Sequence, residues 1–119
     1  MSYEYLNMNP HKLDTDDCSA RAISVAENIS WDKAYRKLSD YARKRGLMLS
    51  SVQSIESYLD DNYKRFCNYN ITVGEFARRY NKGTYLVTMR GHITVIINGV
   101  IIDTFDCSNR KMWCAWIVK

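Results

Sequence analysis

A chain of 119 residues, 46% hydrophobic and 25% charged, has the apolar material for one core, so a single domain over residues 1–119 is expected. The opening MSYEYLNMNPHKLD shows no apolar run behind positive charge, and nowhere do eighteen apolar residues follow one another; a secretion signal and a membrane span are not expected, and the cytoplasm is the expected location. The net charge of +4 is mild and its basic residues alternate with acidic ones outside short runs such as ARKRG and ARRYNKG, which ranks nucleic acid last among partners.

Taken in chain order, Cys18, Ala22, Val25, Ala26 and Ile29 recur at helical spacing and predict a first amphipathic helix. Ser30 is placed to cap a second helix, whose stripe runs through Trp31, Ala34, Tyr35, Leu38, Tyr41 and Ala42 until Gly46 stops it. A shorter helix is expected after Ser51 with Val52, Ile55 and Leu59 inward, while residues 60–71 mix turn formers and aromatics and give no clear period. Thr72 and Glu75 have the spacing of a capping box for a fourth helix faced by Val73, Phe76, Ala77 and Tyr80.

After Asn81-Lys82-Gly83 the period changes. TYLVTMR, HITVII, VIIDTF and MWCAWIV are short, rich in β-branched and aromatic residues, and separated by turn formers. The expectation is an α+β domain in which N-terminal helices cover one face of a four-stranded antiparallel meander. The four cysteines, Cys18, Cys67, Cys107 and Cys114, form no closely spaced pair. A structural zinc site is therefore not expected, and in a reducing compartment all four read as thiols.

Asn98-Gly99 between two apolar runs predicts a two-residue hairpin, because its turn needs positive φ at both positions. That turn sets Ile97 opposite Val100, Val95 opposite Ile102, Thr94 opposite Asp103 and His92 opposite Phe105. His92 and Asp103 then become diagonal neighbours on one face, close enough for an imidazole and a carboxylate to hydrogen-bond. A three-residue loop would instead bring Asp106 opposite His92, which makes Asp106 the reserve acid. Cys18, at the start of the first helix, would gain thiolate character from the helix N-terminus if Asp17 caps it, with Asp16 turned to solvent. The His92 imidazolium would add to this if the helix packs on the face that carries it.

Asn9 and Pro10, then Asp17 and Cys18 with the run SARAISVA, then TVGEFARRYNKGTYLV and GHITVIINGVIIDTFD, together covering about residues 7–106, resemble the papain-like cysteine peptidase fold. More narrowly, they resemble a group of small cysteine peptidases of phages and Firmicutes. The resemblance implies a minimal papain-like domain and a thiol hydrolase, peptidase or amidase, acting on a peptide or protein substrate through a thioester and needing no cofactor or metal. It implies Cys18 as nucleophile, His92 as general base and acid, and Asp103 as the group that holds the imidazole tautomer. Such enzymes commonly carry a Gln about six residues before the cysteine as oxyanion donor; here that position is Lys12, and Asn7 or Asn9 is the substitute amide. Two other readings share the scaffold: a non-catalytic binding or inhibitory protein of phage origin, using the 13% aromatic content as contact surface, and an acyltransferase with the same triad. The oligomeric state is not readable from the sequence.

Overall fold

The computed structural model describes residues 3–13 and 17–119. Strand β1 (Tyr3–Tyr5) precedes three helices, α1 (Cys18–Glu27), α2 (Trp31–Lys44) and α3 (Val52–Asn62). Then come β2 (Lys64–Cys67), α4 (Val73–Arg79) and the strands β3 (Thr84–Met89), β4 (His92–Ile97), β5 (Val100–Asp103) and β6 (Met112–Ile117). The caps read from the sequence at Ser30 and Thr72 form, accepting from the backbone N–H of Lys33 and Glu75, and the helix expected after Ser51 begins with Ser51 accepting from the Ser54 N–H. The Glu75 side chain does not close the capping box but pairs with Arg79, one turn on.

The sheet is larger than expected and mixed. Its six strands run in the order β1-β5-β4-β3-β6-β2, with β1 parallel to β5 and the remaining neighbours antiparallel. The four-stranded meander is thus corrected twice. Strands β1 and β2 add an edge on each side, and β6 returns to pair with β3 instead of extending beyond β5. Residues 104–111 are too many for a tight hairpin. They cross beneath the sheet and are fixed to the start of α4, where Val73 N–H donates to Arg110 O at 2.8 Å and Gly74 N–H to Ser108 O at 2.9 Å. A Cβ on Gly74 would lie 3.0 Å from the Ser108 Cβ and carbonyl oxygen, so glycine lets the crossing seat this closely.

Helices cover both faces, not one. Leu86, Ile93, Val95, Cys114 and Trp116 pack with Ala22, Ile23 and Ala26 of α1, Leu38 of α2 and Leu59 of α3. The alternate set, Val87, Ile96, Ile101, Met112 and Ala115, packs with Val73, Phe76 and Ala77 of α4. The two-residue period of the strands therefore delivers apolar side chains to two cores, and β3, β4 and β6 are buried on both sides.

The helical layer is tied together by a carboxylate. Glu27, the last residue of α1, accepts hydrogen bonds from Tyr58 (2.8 Å) and Tyr63 (2.6 Å) and pairs with Lys37 of α2. At the β2 margin of the sheet, Cys67 and Cys114 are joined in a disulfide. The expectation of four thiols is corrected: these two residues face one another directly in the β2–β6 ladder, and Cys18 and Cys107 alone remain free.

Candidate functional site

Cys18 is the first residue of α1, and its partly exposed thiol stands where the helix N-terminus meets the start of β4. Asp17 occupies the N-cap position, but its side chain makes no capping hydrogen bond, a correction to the expected cap. Its carboxylate is instead consumed by a buried ion pair with Arg21 and by the Asn9 side-chain amide (3.0 Å) and the Trp31 indole N–H (3.1 Å). The first-turn N–H groups of the helix are thereby left without a side-chain acceptor from their own cap, and the Asp17 charge is balanced by Arg21. Asp16 lies outside the described residues.

The Asn98-Gly99 turn forms with φ of 50° and 80°, and Ile97–Val100 and Val95–Ile102 pair as the sequence dictates. Beyond Val95–Ile102 the two strands part, so the expected Thr94–Asp103 and His92–Phe105 pairs do not form. It is at this open end, not across a sheet face, that Cys18 enters, because α1 packs on Ile93 and Val95, the set alternate to His92. His92 Nε2 and Asp103 Oδ2 are 2.6 Å apart across the gap, with only 6% and 4% of their side-chain surfaces exposed. The second Asp103 oxygen accepts from the Thr104 N–H at 2.7 Å. Its backbone carbonyl is held by the Leu6 N–H (2.9 Å) and the Tyr3 hydroxyl (3.3 Å), so β1 buttresses the acid from outside the hairpin.

These contacts set the charges. Burial pushes the Cys18 thiol up. Hydrogen bonding from the His92 side chain and the Ile93 N–H, with the positive charges of His92 and Arg21, outweighs burial and leaves the thiol below its ordinary value. Burial pulls His92 down, yet its hydrogen bonds to Asp103 and Cys18 and their charges raise it to about 9. Asp103 is pushed up by burial and drawn below its usual range by its hydrogen bond to His92 and the imidazolium charge. With Nε2 on the carboxylate, Nδ1 is the ring nitrogen left for the sulfur, and both shifts run toward a thiolate beside an imidazolium.

Asp106 takes no part. It is exposed, and its Oδ1 accepts from the Ser108 N–H at 3.0 Å. Asn7 and Asn9, the substitute oxyanion amides, are buried and committed to the loop before Cys18. The Asn7 side-chain amide donates to Leu13 O (3.1 Å), the Asn9 amide donates to Asp17, and neither lines the cleft that Cys18 shares with His92. Lys12 reaches back to Asn7 O at 3.2 Å. The backbone N–H groups of the first turn of α1, together with the Ile93 N–H, are the donors that remain for an oxyanion beside Cys18.

Cys107 is buried 4.0 Å from Asp103 Oδ2, and burial followed by the Asp103 charge pushes it up to about 12, so it stays a thiol. His92, Asp103 and Cys107 offer ligand atoms within 4.8 Å of one another, but the 2.6 Å between Nε2 and Oδ2 is a hydrogen-bond separation. Two ligands of one tetrahedral zinc at ordinary bond lengths stand about 3.3 Å apart. At this separation the pair shares a proton.

A cleft of ≈ 130 Å³ opens beside Cys18 and His92, walled by Val52, Ile55, Met89, Ile93 and Trp113. The sequence reading missed several of the parts. Arg21, which neutralises Asp17, was signalled by its spacing of four residues on a helix. Phe105, whose ring lies 4.8 Å from the His92 ring, was placed opposite His92 by the register without being given a role. No local signal could have shown that Trp113 walls the cleft.

Among the described residues, no helix is long and apolar enough to cross a membrane. No family model matches the chain, and neither does any curated protein or solved structure.

Proposed function

We propose that the chain is a papain-like thiol hydrolase, a cysteine peptidase or amidase that works through a thioester. The observation that carries this reading is the convergence of Cys18, His92 and Asp103: a thiol at a helix N-terminus shares its cleft with a histidine whose Nε2 stands 2.6 Å from a buried carboxylate. The thiolate attacks the substrate carbonyl carbon, and the developing oxyanion is met by N–H groups at the start of α1. The His92 imidazolium gives its Nδ1 proton to the departing amine. Water, deprotonated by the neutral imidazole, then attacks the thioester, releasing the acid and restoring the thiol. Asp103 keeps Nε2 protonated throughout, and Phe105 shields the His92–Asp103 hydrogen bond from solvent.

Incubation with a peptide mixture derived from a whole proteome, followed by sequencing of new termini, tests the proposal. New termini from the native protein and none from Cys18→Ala are expected. Absence of cleavage together with absence of a Cys18 acyl adduct by mass spectrometry contradicts a hydrolase and favours the binding reading. Added hydroxylamine separates the acyltransferase reading: if an amine acceptor is preferred to water, hydroxamate replaces acid as the main product.

A further inference from the structure

The far wall of the catalytic cleft is shared with a second, open cleft of ≈ 580 Å³ lined by Arg90, Arg110, Lys111 and Trp113. Trp113 borders both, and Arg90 sits in the Arg90-Gly91 turn that delivers His92 to the start of β4. The charge there is uncompensated. Arg21, Arg36, Arg43, Arg45, Arg65 and Arg79 each lie in an ion pair with a carboxylate, whereas among the described residues none is recorded for Arg90, Arg110 or Lys111. Arg110 stacks over the Phe105 ring at 5.2 Å, and Lys111 donates only to the Asn70 backbone at 3.4 Å. All three are exposed.

Three cations converging on an open cleft, without carboxylates of their own and beside a half-buried tryptophan, form a receptor for an anion. The neighbouring cleft is mainly apolar, with Val52, Ile55 and Trp113 in its walls, and its carboxylate, Glu56, is paired with Arg65 at 3.7 Å. Trp113 is the wall common to this cleft and the one that holds the cations. We propose that this basic cleft is a specificity subsite for an acidic side chain of a peptide substrate, so that the hydrolase selects sequences in which Asp or Glu lies near an apolar residue at the cleavage point. The proposal rests on the reading of Cys18 as nucleophile. It deepens that reading by naming the substrate class.

Binding can be measured apart from turnover with Cys18→Ala protein. The probes are acetyl-Gly-Glu-Gly-Leu-Gly-Glu-Gly-amide, acidic on both sides of its leucine, and its twin with Gln at both Glu positions. Titration at low salt, read by the Trp113 indole N–H resonance, is expected to show the acidic peptide binding about tenfold more tightly, the worth of one or two exposed ion pairs. The advantage should disappear in a triple Arg90→Ala, Arg110→Ala, Lys111→Ala variant and shrink with added salt. Should the triple variant fold poorly, Lys111→Glu alone is expected to abolish the advantage. Equal binding of the twins, binding of neither, or an acidic advantage that survives the substitutions overturns the subsite. Failure of the underlying reading looks different. If the acidic peptide is preferred but native protein cleaves nothing, the basic cleft stands as an acidic-peptide site while the hydrolase falls. Cleavage without acidic preference gives the reverse.

Discussion

Cys18 is poised between burial, which favours the thiol, and three stabilisers of the thiolate: His92, the Ile93 N–H and Arg21. Arg21 matters twice, since it also neutralises Asp17 beneath the sulfur. Arg21→Met would leave that carboxylate buried and uncompensated, raising the Cys18 pKa and costing about 3 to 5 kcal/mol of stability. Urea denaturation and the pH dependence of thiol alkylation check the two effects separately. The pH profile of kcat/KM carries the same logic. Activity should rise as Cys18 loses its proton through a depressed pKa, and fall through about pH 9 as His92 loses the proton needed by the leaving amine. In Asp103→Asn the imidazolium loses its anionic partner, so the alkaline limb moves to lower pH and the maximum drops about a hundredfold; a limb that stays near pH 9 would mean that Asp103 does not set the His92 proton.

At the scale of elements, the β4–β5 hairpin and the helical layer hold the site. The Gly99 φ is +80°, and a Cβ there would stand 3.1 Å from the Asn81 Cβ and 3.2 Å from the Ala77 carbonyl oxygen. Gly99→Ala is therefore expected to cost about 1 to 2 kcal/mol, seen as a lower urea midpoint. It should also slow Cys18 alkylation, because the turn fixes the register that brings Asp103 to His92. Glu27 anchors α1 to α2 and α3, and burial and the Glu27 charge raise both tyrosine partners. The Cys67–Cys114 disulfide closes 47 residues, worth about 4 kcal/mol in chain-entropy terms. It clips the β2 edge, remote in sheet order from β5 and β1. Reduction should lower the thermal midpoint while leaving Cys18 alkylation unchanged. Loss of the enhanced alkylation on reduction would show that the margin and the site are coupled.

Over the whole molecule, what was legible in the sequence was what local chemistry decides. Hydroxyl caps at Ser30 and Thr72, the helix start after Ser51, the change of period near Gly83, and the Asn98-Gly99 register all depend on neighbours in the chain, and the His92–Asp103 contact followed from that register. Three features depended on distant pairing and left no local mark. Strands β1 and β2 are short and largely exposed, so they show no alternation. The return of β6 to β3 is decided by how residues 104–111 dock on α4, and the disulfide follows from the β2–β6 ladder that this return creates. The side-chain oxyanion donor failed for a related reason: Asn7 and Asn9 were near Cys18 in sequence, but their amides are spent ordering the loop that leads to it.

The central claim is that Cys18 is held as a thiolate by His92. The second-order rate of Cys18 alkylation by iodoacetamide at pH 6, followed by mass spectrometry in the native protein and in His92→Ala, measures it most directly. A rate well above that of free cysteine, falling at least about tenfold without the imidazole, is the expected result. A native rate equal to that of free cysteine and indifferent to the substitution would contradict the thiolate–imidazolium pair and, with it, the hydrolase.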